Sequence, residues 1–143
     1  MTAAGEGQTW GLLCAARPDL AEAGRLLLYQ FGVGLGFLAT VRADGGPRVH
    51  PICPLILDDR LLGFIVPSPK LSDLVRDGRY ALHSFPCADN EDAFYVSGRA
   101  EAKNDAELRE TAAALFLTER QWDEHPPGFE DQSSLSSSSK PAC

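Results

Sequence analysis

Two spacings of apolar residues take turns along this chain. From Pro18 onward, Leu20, Ala23, Leu27 and Phe31 recur every three or four residues, the period of one helix face. Pro18 suits a first helical turn and Asp19 and Glu22 suit its N-terminal end, so a helix is predicted over 18–30. At Gly36 the period drops to two. Phe37, Ala39 and Val41 alternate with Leu38, Thr40 and Arg42 and run into Asp44-Gly45-Gly46, which reads as a β-hairpin over 36–42 and 47–57. Pro51 and Pro54 cannot donate to a ladder, so the second arm is an edge, a bulge or a bend. Asp58-Asp59 makes the next turn and Leu61 to Val66 a third strand.

The best-punctuated helix follows. Ser68 can cap it, Pro69 takes the first position, Leu71, Leu74 and Val75 share a face, and Gly78 ends it, over 69–77. Strands are predicted over 79–85 and 94–103, separated by the polar loop 88–92. Asn104 or Asp105 caps a last helix over 105–117 whose Leu108, Ala112, Leu115 and Phe116 face the core. Hairpin turns favour antiparallel pairing, and barrel closure removes exposed strand edges. The expected fold is therefore mainly β (α+β), a barrel of about six antiparallel strands with flanking helices. Residues 1–16 read as a loose arm, 17–118 as the folded domain, and 119–143 as an acidic and then Ser-rich tail.

The 143 residues fit one domain, with 44% hydrophobic and 23% charged residues, ordinary for a globular protein. A net charge of −7 argues against nucleic acid or an anionic membrane as partner, since both demand clustered Lys and Arg. No apolar run approaches a bilayer span and residues 1–10 lack a signal-peptide layout, so the protein is expected to be cytoplasmic. Cys14, Cys53, Cys87 and Cys143 contain no C-x-x-C pair and read as reduced. His50, His83 and His125 lack metal-binding spacing, so no metal is expected.

Gly32-Val33-Gly34-Leu35-Gly36 invites a dinucleotide-loop reading. It follows a helix and opens a strand, the reverse of the required context, and reads instead as a flexible or close-packed turn. The stronger chemistry lies in two segments that hairpin order brings together, Arg48-Val49-His50-Pro51 and Ser68-Pro69-Lys70. A helix N-terminus with a Ser hydroxyl, a Lys ammonium and an Arg fork can cage a phosphate. The same residues can equally be a cap and two solvated cations.

From Gly36 to Lys103 the chain resembles the pyridoxamine 5'-phosphate oxidase-like family of FMN-binding split barrels. The resemblance rests on FLATVRADGGPRVHPICP, then LLGFIVPSPKLSDLVRDGRYALHS, then FYVSGRAEA, in family order. It implies a split β-barrel, an FMN cofactor, a homodimer and a small-molecule substrate for an oxidoreductase. It places Arg48, Ser68 and Lys70 at the phosphate, and Val49, His50, Pro51, Ile65 and Val66 along the ribityl chain and ring. His50 is either a proton donor to reduced flavin or a strand residue lining the pocket through its backbone. The C-terminal Trp and Arg contacts of pyridoxamine phosphate oxidases proper have no counterpart after Phe129, which argues against that substrate. The alternative is a non-catalytic module carrying flavin, deazaflavin or haem.

The tail 133–143 reads SSLSSSSKPAC, a serine run unable to bury a face. One set of codons for this peptide, read one base earlier behind a G, encodes the strand-like ELFELFIEACL. A frameshifted C-terminus is therefore one reading of a barrel otherwise a strand short.

Overall fold

The structure, a computed structural model, describes residues 9–120. Four helices, α1 (Trp10–Ala16), α2 (Pro18–Leu28), α3 (Pro69–Arg76) and α4 (Ala106–Arg120), accompany six strands. The strands are β1 (Gly36–Val41), β2 (Pro47–Ile52), β3 (Pro54–Leu57), β4 (Arg60–Gly63), β5 (Arg79–Ser84) and β6 (Tyr95–Arg99). One antiparallel sheet has the order β2-β1-β5-β6, and β3 pairs with β4 in a separate ribbon. Among the described residues the two sheets do not close into a barrel, and helices hold more residues than strands. The fold is thus α+β rather than mainly β. The tail and its frameshift reading lie outside the described residues.

The predicted second strand divides at Cys53. Pro51 sits on the free-edged strand β2, and Pro54 starts β3 in the other sheet, so the two prolines mark an edge and a crossing between sheets. Gly45 at φ +85° makes the β1–β2 turn and Asp58 at φ +51° the β3–β4 turn. The third strand stops at Gly63, which leaves Phe64 to Val66 as irregular chain leading to α3.

Two apolar clusters hold the layers together. In the first, Leu28 of α2 meets Leu38, Ile52 and Leu82 of the four-stranded sheet, with Ile65 and Leu74 against them. In the second, Ala112 and Phe116 of α4 pack on Leu55 of the ribbon. The core stripe of α2 is Ala21, Gly24 and Leu28, one position on from the expected one, and Leu20 and Phe31 are exposed. Gly24 sets this frame: a Cβ there would stand 2.6 Å from the Phe94 ring, so only glycine lets the helix approach. Residues 10–16, without clear periodicity in sequence, form α1 behind a Thr9 cap and bury Trp10 edge-on to Phe94. Cys14 and Cys87 are free thiols as expected; Cys53 is disulfide-bonded and not reduced.

The glycine run after α2 is a close-packed turn. A Cβ on Gly34 would fall 1.9 Å from the Pro54 carbonyl oxygen, so this segment is pressed against the start of β3. No helix in the described residues is long and apolar enough to cross a membrane.

Candidate functional site

Register decides what β2 can present. Arg48 stands opposite Thr40 and His50 opposite Leu38, so both share the sheet face that carries the core. Val49 and Pro51 point to the opposite, open face, where Val49 is 59% exposed. The four expected β2 residues therefore divide into two side chains on the covered face and two that can reach a ligand there only through their backbone.

Helix α3 lies over this face. Ser68 caps it, its Oγ accepting from the Leu71 N–H at 3.4 Å and its carbonyl from the Ser72 N–H at 3.0 Å. Pro69 has no N–H to satisfy, which leaves the Lys70 N–H as the orphan donor of the first turn. Lys70 is half-buried, and burial lowers its ammonium pKa. Ile65 packs against the first cluster and Val66 is half-buried on the approach to Ser68.

The strand and the helix meet at a residue the sequence reading passed over. Asp73, 3% exposed, accepts from Arg48 Nε at 2.7 Å and Thr40 Oγ at 2.9 Å through Oδ2, and from Arg76 Nη2 at 3.1 Å through Oδ1. Arg76 also donates to the Val41 carbonyl. The Arg48 hydrogen bond holds the Asp73 carboxyl below its ordinary range, against burial that pushes it up, with Thr40 and Arg76 assisting. The expected apolar face of α3 is correspondingly rotated: Val75 is 68% exposed while Asp73 faces the sheet. The spacing Asp73-x-x-Arg76 was the available signal, since it brings a carboxylate and a guanidinium together on one side of the helix.

Arg48 and Arg76 both bond the Asp73 carboxylate, and Lys70 lies in the first turn of the same helix, so these four side chains together carry a net positive charge. The Arg48 terminal nitrogens have no acceptor among the described residues. His50 Nε2 is buried without a hydrogen-bond partner, a second unsatisfied polar atom on the same face. This donor set suits a phosphate, which only accepts. A cleft of about 300 Å³ between the β3–β4 turn and α4 is lined by Asp58, Asp59, Asp105 and Glu107 and has the wrong charge for one.

No protein-family model and no curated protein sequence matches the chain. Solved structures do match. A conserved hypothetical protein from Mycobacterium tuberculosis aligns with TM-score 0.59 at 20% identity, over 69% of this chain and 62% of that one. A heme binding protein from Mycobacterium smegmatis aligns with TM-score 0.55 at 20% identity, over 72% of this chain and 44% of that one. An F420 reductase aligns with TM-score 0.56 at 21% identity, over 68% of this chain and 79% of that one. The match spans less than two thirds of the first two proteins. At such identities the likeness establishes the fold.

Proposed function

We propose that the chain is a cytoplasmic, FMN-binding oxidoreductase of the pyridoxamine 5'-phosphate oxidase-like split-barrel family, homodimeric and acting on a small molecule. The observation that carries the reading is the Arg48–Asp73 pair, which ties β2 to the helix that Ser68 caps and whose first turn carries Lys70, on one covered sheet face. Arg48, Ser68 and Lys70 would hold the phosphate. Ile65, Val66 and His50, with the backbone of Val49 and Pro51, would line the remainder, the unpartnered His50 Nε2 supplying a polar contact. FMN, when bound, supplies the redox chemistry, and the protein binds, orients and shields it.

A second reading is a non-catalytic carrier of flavin, deazaflavin or haem, favoured by a neighbour named as a heme binding protein. Absorbance of the protein purified from cells separates these. Flavin bands at roughly 370 and 450 nm support bound flavin and, where a substrate bleaches them with turnover, the first reading; a Soret band supports haem, and a colourless protein that takes up no FMN overturns the flavin reading. Arg48→Ala and Lys70→Ala are each expected to weaken FMN by about 1.5–3 kcal/mol and riboflavin much less. Equal weakening of both ligands removes these residues from the phosphate site.

A further inference from the structure

We infer that Asp73 is the positioning residue of the anion site: anchored to β1 through Thr40, it grips Arg48 by Nε and leaves the terminal guanidinium nitrogens free for a phosphate ester. The inference rests on the flavin reading above and adds to it a residue that need not touch the ligand.

An arginine side chain has four rotatable bonds and, left to itself, spreads its charge over a wide arc. Here one carboxylate removes that freedom at the root of the fork. The Nε–H is committed to Oδ2, so the guanidinium plane is fixed while its terminal N–H groups remain unspent. The carboxylate is itself fixed from two directions, by the Thr40 hydroxyl from the sheet and by Arg76 from its own helix. Arg76 in turn donates to the Val41 carbonyl, so α3, β1 and β2 are tied at one point. Lys70 stands one turn nearer the N-terminus of α3 on the side that Asp73 occupies. The arrangement costs desolvation that an apolar contact would not, and well-packed apolar residues often replace buried ion pairs without loss of stability. What apolar residues cannot do is orient a guanidinium.

Charge and orientation make opposite predictions for the same substitution. A carboxylate beside an anion site repels the anion, so by charge alone Asp73→Asn should tighten FMN. If Asp73 positions Arg48, the same change should weaken FMN although the site becomes more positive.

The test is equilibrium titration of the full chain with FMN and with riboflavin, for wild type, D73N, R48A and the R48A/D73N double variant. The expected result is a loss of about tenfold or more in FMN affinity for D73N, a change of less than about twofold for riboflavin, and a double variant no weaker than R48A. Tighter or unchanged FMN binding in D73N, equal loss of both flavins, or additive losses in the double variant overturn the inference. Should D73N fail to fold, Thr40→Val, which frees the carboxylate from β1 and leaves both charges in place, should lower FMN affinity selectively. An unchanged FMN-to-riboflavin ratio in T40V overturns the inference. If wild type binds neither flavin, the flavin reading falls together with it; if wild type prefers FMN and D73N keeps the full preference, only the role of Asp73 falls.

Discussion

Helix α3 carries an aspartate near each end of its last turn, and the two are built differently. Asp73 is buried and held by donors from β1, β2 and its own helix. Asp77, the C-cap, is more open and pairs with Arg79 at 2.6 and 2.7 Å, two residues away on a 60% exposed side chain; Arg99 reaches the Asp77 carbonyl. The Arg79 hydrogen bonds bring the Asp77 carboxyl down to about 2, and those of Arg48, Thr40 and Arg76 lower Asp73 against a desolvation that opposes them. A lowered pKa therefore does not separate the two. The reach of each carboxylate does: that of Asp77 bonds Arg79 two residues on, and that of Asp73 joins α3 to β1 and β2.

The most direct way to break this comparison is to truncate each carboxylate. Asp73→Ala strands a guanidinium and a hydroxyl on a covered face and should lower the melting temperature by about 10 °C or more. Asp77→Ala should lower it by about 2–4 °C, because exposed pairs contribute little. Circular dichroism melts of the two variants decide; equal shifts would erase the distinction. Salt gives a smaller, sharper contrast. Between about 0.05 and about 0.5 M NaCl the deficit of D77A should shrink, since the Debye length falls to a few ångströms, while that of D73A persists.

The smallest effect is in acid. Both carboxyls sit below their ordinary range in the native state, so the unfolded chain takes up protons first as pH falls. Each contribution is full above the ordinary carboxylate range and is lost as pH drops through the native value, which for Asp77 means between 3.8 and about 2. Acid unfolding followed by tryptophan fluorescence should be less steep in both variants than in wild type. A wild-type slope in D77A would mean the Arg79 pair is fully screened by solvent.

Local signals were legible where the chain punctuates itself. Pro18, Ser68-Pro69 and the Asp105 side chain, which accepts from the Leu108 N–H, mark helix starts, and Asp44-Gly45-Gly46 marks the hairpin. Faces were harder. Helix α2 is leucine-rich on several sides, so periodicity alone pointed at Leu20 and Phe31, and the approach of Phe94 to Gly24 decided otherwise. In α3 an aspartate among leucines reads as solvent-facing, because its three donors lie on other elements or further along the helix. Arg48 and Lys70 could be nominated from sequence as phosphate ligands. Asp73 showed only its local i,i+3 spacing to Arg76, since its partners Arg48 and Thr40, 25 and 33 residues away in the chain, leave no local pattern.

The unequal neighbours of β1 bear on how the molecule assembles. On one side β1 meets β2 across a tight turn; on the other it pairs Gly36 with Ser84, beyond the ribbon and α3. Loop-closure entropy rises with span, so the hairpin is expected to form ahead of the wider pairing. Every residue of the Asp73 cluster falls between Thr40 and Arg76, inside the span that must close before β5 can add to the sheet. Docking of α3 on the hairpin through that cluster would shorten the effective loop left to close, so the contacts that join Asp73 to Arg48 and Thr40 would also lower the entropic barrier to completing the sheet.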